Sequence, residues 1–563
     1  MNVSDVFLQY LAADSAGHLI CADYSNTIYI FDEAGKLLKT LSQDGKYGNL
    51  ATLDTGKTGI LYYDDSGDQV FTEIDGEKLD WGETLSLGVD AWNVFADPAG
   101  GGFYLFGSSG TIYRYDLAAQ EKAKVVTLLD CDLDATNLEN ISVSENGDLQ
   151  VLLSTQNEGV DRTYGLYTLH PVDAAMLPEK TVLTLATLDL SQSLRQQIAK
   201  FNRENDTYRI EVLDYSQYSE VIASPGSYTK DSSPAITKLN TELLSGNLPD
   251  LIDFTATELP VAQYAAKGFL EDLLPFLRAD SAVSEEKLNQ NVLDAIKTDG
   301  KLYQMPTAFS VIGAAGKHEI VGGYDAWTLD AMHDAMKKLP ADATVFNVDY
   351  TKDTVVFACL ASSLSQFVDW ESGTCSFETD AFKSFLSFAD SFPAEFDTTN
   401  FDFDNYDSDY RRVGQKQQLL ANIAFSGFDD IYYQLEAMEN DADFVGYPGV
   451  TGGYGCGFLP LGSIAMTTAC KDKDAAWGFI RSLLSEDVQL QQTGFPMLNS
   501  AFDKKAADAM KQEYVTDENG NTVLDANGEP IRVILYTIGF FNETVDVYAV
   551  TPEQYQIVRD LID

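Results

Sequence analysis

Histidine is nearly missing from this 563-residue chain, which has only His18, His170, His318 and His333. A histidine-based catalytic triad would have to use one of these four. None has an evident nucleophile beside it, so each reads as a packing or surface residue. Cysteine is sparse as well. Cys21, Cys131, Cys359, Cys375, Cys456 and Cys470 form no C-x-x-C pair and lack zinc-ligand spacing to any histidine. They read as buried, reduced thiols in apolar segments; a Cys456–Cys470 bridge is conceivable but has no support in the sequence. No apolar run approaches the roughly 18 residues of a membrane helix. Met1-Asn2-Val3-Ser4-Asp5 has no basic region leading into an apolar one, so no signal peptide is visible. G-x-S-x-G, a phosphate-binding Walker loop, H-E-x-x-H and a strand-to-helix G-x-G-x-x-G are all absent.

Basic residues are scarce. Lys and Arg number 37 against 87 Asp and Glu, a formal charge of −50. Nucleic acid and anionic membranes need a basic face and are excluded as partners. Residues 1–175 hold 9 basic and 28 acidic residues, so the charge is spread along the chain as a solvated acidic surface. What is present is ordinary globular material, 45% hydrophobic and 12% aromatic, at a length that requires more than one domain.

Residues 1–175 read as repeated β-structure. Each repeat has a D/S-x-x-G type turn, a short apolar strand, a polar turn, and a strand alternating aromatic and β-branched residues. Examples are Thr27-Ile28-Tyr29-Ile30-Phe31 and Thr111-Ile112-Tyr113-Arg114-Tyr115. The turn glycines Gly17, Gly56, Gly100 and Gly147 lie 39, 44 and 47 residues apart. A period of roughly 40–50 residues with four short strands is that of propeller blades. The pattern resembles loose NHL- or kelch-like blades, and a β-sandwich or irregular β-domain is the alternative. The chain enters the first repeat almost at once, so further blades and a signal are expected ahead of it.

The character changes near residue 176. A strand over 181–188 leads to a helix capped by Ser191, with Leu194, Ile198 and Phe201 on one face. An alternating strand through Tyr208, Ile210 and Val212, a helix over 236–244 ended by Gly246 and Pro249, and a short strand at 250–254 follow. That order predicts parallel strands with crossover helices. The expected fold class is multidomain, an all-β propeller-like part over 1–175 followed by a two-lobed α/β part over 176–563.

From here the residues resemble bacterial extracellular solute-binding proteins of ABC transporters, particularly the carbohydrate-binding type. The blocks are Phe201-Asn202-Arg203-Glu204-Asn205, Leu243-Leu244-Ser245-Gly246-Asn247-Leu248-Pro249-Asp250-Leu251, Gly300-Lys301-Leu302-Tyr303-Gln304-Met305-Pro306, Gly446-Tyr447-Pro448-Gly449, Ala475-Ala476-Trp477-Gly478-Phe479-Ile480 and Phe495-Pro496-Met497-Leu498-Asn499. They stand in the family order across nearly all of 181–563. Two departures stand out. The chain stops where the final amphipathic helices of the family would be starting, and an extra β-domain stands in front. The resemblance implies two lobes closing on a small solute, no cofactor and no catalysis. It also implies a location outside the cytoplasmic membrane, anchorage as a lipoprotein, and a permease as partner.

A sugar site wants aromatic platforms for C–H faces and a few polar side chains for hydroxyls. Four segments placed around one cleft by the resemblance provide them as loops. They hold Phe254 and Thr255; Phe309 and Ser310; Phe425, Phe428 and Asp429; and Tyr447 and Tyr454. Trp327, before the cap Thr328, and Trp477 read as packing residues, and Trp370 as a turn into a strand. Asp517–Glu529 lacks the glycine and glutamate of a calcium loop and reads as a hairpin with two Asn-Gly turns. The acidic, aromatic 401–410 reads as a solvated loop. Two alternatives remain open: a propeller-bearing glycosidase or lyase, whose paired carboxylates no sequence pattern reveals, and an adhesin or sensor whose β-domain holds a polymer or protein.

Overall fold

The computed structural model describes residues 8–563 except 15, 24–26, 43–47, 53–56, 65–67, 89–90, 98, 108–109, 136, 145, 157–161, 177–178, 225–226, 256–258, 362, 370–371, 398–400, 402–405, 450–454 and 541–542. Gly56, Trp370 and Tyr454 lie outside the described residues. The chain divides into two compact units, Met1–Leu251 and Ile252–Asp563.

In the first unit the alternating segments form meandering antiparallel sheets. The first comprises Leu8–Ala13, Leu19–Asp23, Thr27–Phe31 and Leu37–Ser42 (β1–β4). The second comprises Gly48–Thr52, Thr58–Tyr63, Gln69–Asp75 and Asp80–Ser86 (β5–β8). The third comprises Ala91–Ala96, Gly102–Gly107, Thr111–Asp116 and Glu121–Thr127 (β9–β12). The fourth has three strands, Leu138–Val143, Leu149–Gln156 and Arg162–Leu169 (β13–β15).

The predicted turns form for a local reason. The Asp14 carboxylate accepts from the backbone N–H of Ala16 and His18, and Gly17 takes φ +84°, which a side chain would resist. Within the third sheet the cross-strand pair Phe103 and Tyr115 stacks at 4.8 Å. One apolar cluster joins the first and second sheets through Ile28, Ile30, Ile60 and Val70. Another joins the second and third through Phe71 and Leu105, and a further one the third and fourth through Phe106 and Val151.

The α/β part of this unit starts with Thr181–Thr187 (β16), parallel to Tyr208–Asp214 (β17). The helix Gln192–Glu204 (α1) connects them, and Ser191 Oγ accepts from Leu194 N as predicted. Asn202 is fully buried and bonds both ways to the backbone of Ile210, locking α1 to β17. A hairpin, Glu220–Ser224 with Ser227–Asp231 (β18 and β19), precedes the helix Ser233–Leu244 (α2) and had no signal in the sequence reading.

The second unit is built around the strand Ala308–Lys317, nearly all of it buried. Its partners Ala421–Phe425, Ala442–Phe444, Gly457–Leu461 and Phe495–Pro496 are all antiparallel to it. Helices cover this sheet, and a core of Met332, Phe346, Val355, Phe385 and Leu419 lies among them. Two small features agree with expectation. Thr328 caps the helix Leu329–Met336 with Trp327 buried beside it, and Asp517 and Asp525 each nucleate a tight turn of a small β-insertion. Among the described residues no group of side chains could hold a metal ion, and no helix is long and apolar enough to cross a membrane.

Candidate functional site

The expected site residues do not all stand where the sequence reading put them. Phe309 and Ser310 lie inside the central strand rather than in a loop. Phe309 is fully buried, edge-on to Phe458 at 5.7 Å and tilted against Phe495 at 5.6 Å. Phe425, also fully buried, meets Phe444 at 5.6 Å. Phe428 packs on Phe495 and Phe502, and Phe254 on Tyr264 at 5.9 Å. These rings are core residues here, because a phenyl group has no polar tip to hold it at an aqueous wall. Thr255 turns inward, its N–H and hydroxyl both given to the Asp253 carboxylate.

Tyrosine behaves differently. Tyr447 is half-buried, with its ring 5.8 Å from Phe346. Its hydroxyl lies 3.1 Å from that of Tyr350 and donates to Asn422 Oδ1 at 2.9 Å. Gly446 places it: φ is +74°, and a Cβ there would stand 1.9 Å from the Gly455 carbonyl oxygen. That glycine serves a close backbone approach. Asn422 is exposed because Ala421–Phe425 alternates buried and exposed positions.

The wall continues through residues the sequence reading did not select. Tyr410 and Tyr433 meet edge to face at 6.3 Å. The Tyr433 hydroxyl donates to Asp430 Oδ1 at 3.2 Å. Asp430 Oδ2 accepts from Ser426 N and Gly427 N, capping the helix Phe428–Ala437. Ser426 Oγ lies 2.7 Å from Ser310 Oγ. The neighbouring Asp429 accepts from the Tyr536 hydroxyl at 2.6 Å. Asp429 and Tyr447 thus belong to a group of polar and aromatic side chains in the second unit, while Ser310 is buried behind it and reaches it through Ser426.

Part of the stretch read as a solvated loop belongs to this wall. Tyr406 donates to Asn347 Oδ1 at 2.6 Å, and the Arg412 guanidinium lies 4.7 Å over its ring. Burial, aided by the charge of Asp349, pushes the Asp409 carboxyl up to about 7. Burial also raises Asp430, lifts Tyr447 to about 12, and moves Tyr350 and Tyr410 higher still. All these phenols stay protonated at neutral pH and present O–H donors. Burial makes them visible as a site, and burial has no signature in local sequence.

Donors, acceptors and ring faces suit a neutral, hydroxyl-rich solute. Every histidine has a partner elsewhere: His18 on Asp14, His170 on Asp148, His318 on Asp443, and His333 on the Leu329 carbonyl. Asp443 holds His318 above its usual range. All six cysteines are free thiols. Cys131 and Cys375 are exposed rather than buried, and Cys456 and Cys470 are not bridged.

Residues 227–515, just over half of the chain, match the model of the bacterial extracellular solute-binding protein family. Among solved structures, the chain is similar to the sugar-binding protein MalE of Xanthomonas citri, at 17% identity and a TM-score of 0.36 over 57% of this chain and 81% of that one. It is similar to an ABC substrate-binding protein from Listeria monocytogenes in complex with cycloalternan, at 18% identity and 0.34 over 58% and 83%. A binding protein from B. animalis subsp. lactis with beta-1,6-galactobiose aligns at 14% identity and 0.32 over 68% and 86%. No curated relative matches. The chain belongs to the bacterial extracellular solute-binding protein family.

Proposed function

We propose that the protein captures a sugar or oligosaccharide outside the cytoplasmic membrane and delivers it to the permease of an ABC importer. The observation that carries this reading is the tyrosine wall. Tyr350, Tyr410, Tyr433, Tyr447 and Tyr536 lie beside Asn422, Asp409, Asp429 and Asp430 in the second unit. Protonated phenols and carboxylates satisfy sugar hydroxyls in both directions, and ring faces cover C–H surfaces. Of the expected ligand-binding residues, Asp429 and Tyr447 contact the solute in this reading. Phe254, Thr255, Phe309, Ser310, Phe425 and Phe428 support them from behind.

In the same reading residues 1–175 are propeller-like blades, residues 176–563 are the solute-binding part, and a lipid anchor holds the protein at the cell surface. The meandering sheets, each packed on the next, support the blade reading. Isothermal titration of the whole chain against mono- and oligosaccharides, peptides and polyamines tests the ligand class. Saturable sugar binding without turnover is expected. Peptide or polyamine binding with no sugar binding overturns it, and hydrolysis of an oligosaccharide would favour a carbohydrate-active enzyme.

A further inference from the structure

The first unit contains a cavity of about 740 Å³ whose walls come from both of its parts. Tyr63 and Gln69 line it from the second sheet, Tyr113 and Lys122 from the third, and Gln217 and Lys230 from the α/β part. The volume falls in the range of roughly 300–1,000 Å³ typical of small-molecule sites.

The walls are held in place. Just beside the cavity, the turn Leu128–Cys131 and the acidic residues after it dock on α1 and β17. Arg203 donates to the Asp132 carbonyl at 2.5 Å, and Arg209 to the Asp130 carbonyl at 3.3 Å. Arg209 also lies 3.6 Å from the Asp132 carboxylate. Arg195 is buried, in the field of Asp134, Asp189 and Asp214. Arg203 and Arg209 thus grip one acidic turn and tie the two sides of the cavity together.

The chemistry of the walls is unusual for a chain of charge −50. Lys122, Lys124 and Lys230 converge on one cavity. Lys124 faces Asp130 at 3.7 Å, whereas Lys122 and Lys230 form no ion pair among the described residues. Lys122 instead donates to the Gly88 carbonyl and lies 5.4 Å over the Tyr113 ring. The Asp68, Glu211 and Asp214 side chains around them exclude a polyanion and supply acceptors for hydroxyls. Two ammonium groups without carboxylate partners, tyrosine rings and scattered acceptors together describe one ligand.

We propose that this cavity is a second small-molecule site, for a short oligosaccharide carrying a carboxylate, of the uronic-acid kind. Lys122 and Lys230 receive the carboxylate, Tyr63 and Tyr113 cover the ring faces, and Gln217 and Glu211 take hydroxyls. The site is separate from the tyrosine wall of the second unit and does not depend on the reading of that wall.

Isothermal titration of the whole chain with an aldotriouronic acid, a trisaccharide with one carboxylate, and with xylotriose as its neutral counterpart tests the assignment. The aldotriouronic acid is expected to bind saturably, at least about ten-fold more tightly than xylotriose, and to lose at least about ten-fold in affinity in the Lys122→Met/Lys230→Met double variant, since charge-assisted bonds are lost. Gln217→Trp, at the exposed rim, is expected to block the same binding without touching a buried charge. Tyr447→Ala is expected to leave it unchanged. No saturable binding up to about 10 mM, equal binding by the double variant and by Gln217→Trp, or loss on Tyr447→Ala would each overturn the proposal.

Discussion

Asp409 shows how a single side chain reports its surroundings. Burial pushes its carboxyl up to about 7 in the folded protein, against 3.8 for an ordinary aspartate. Between those values the folded state holds a proton the unfolded chain has released, so stability falls as pH rises through that window. Asp409→Asn removes this cost. The variant is expected to match the parent near pH 4 and to exceed it by roughly 1–3 kcal/mol at pH 8. Thermal melts at both pH values check this, and a stability difference that does not grow with pH refutes it. Tyr447 is the matching case for binding. Tyr447→Phe keeps the ring against Phe346 but removes the hydroxyl shared with Tyr350 and Asn422. Sugar affinity is expected to drop about ten-fold, with stability changed by less than about 1.5 kcal/mol.

The elements explain why phenylalanines expected at the site retreat from it. Ala308–Lys317 lies in the middle of its sheet and is buried along nearly all its length, so Phe309 is enclosed by Phe458 and Phe495 rather than held at a ligand surface. Phe309→Ala is therefore expected to cost about 3–5 kcal/mol of stability through the cavity it leaves. Chemical denaturation checks the loss, and intact stability with lost sugar binding would return Phe309 to the ligand surface. The helix Phe428–Ala437 depends on Asp430, which takes two backbone N–H groups at its start. Asp430→Ala is expected to cost about 1–2 kcal/mol, read by the same denaturation series.

Over the whole molecule, the joint within the first unit links the β-sheets to the α/β part through an acidic turn held by Arg203 and Arg209, with Arg195 buried nearby. Such a joint is electrostatic and partly exposed, so salt weakens it. The Arg203→Gln/Arg209→Gln variant is expected to speed proteolytic cleavage between residues 128 and 180 several-fold. Gel analysis of timed digests checks this, and an unchanged cleavage rate would assign the joint's strength to Arg195 and apolar packing.

Much of the molecule was legible in the sequence because it rests on local periodicity. The alternation in 27–31 and 111–115, the turn residues Asp14 and Gly17, and the caps Ser191 and Thr328 act over a few neighbours, and all formed as expected. The family was legible for a related reason: its blocks are runs of adjacent residues. Which aromatic faces solvent is a different kind of fact. Phe309 and Phe425 sit next to turn-like residues in sequence, yet Phe458, Phe495 and Phe444 enclose them in space. Tyr350, Tyr410 and Tyr433 gave no signal, because their value lies in meeting Tyr447, Asp409 and Asp430 across distant segments. The cavity of the first unit likewise exists only because segments more than a hundred residues apart are brought together. Composition, turn chemistry and element type were set by neighbours along the chain; burial, raised carboxyls and the two polar surfaces were set by contacts that only folding brings together.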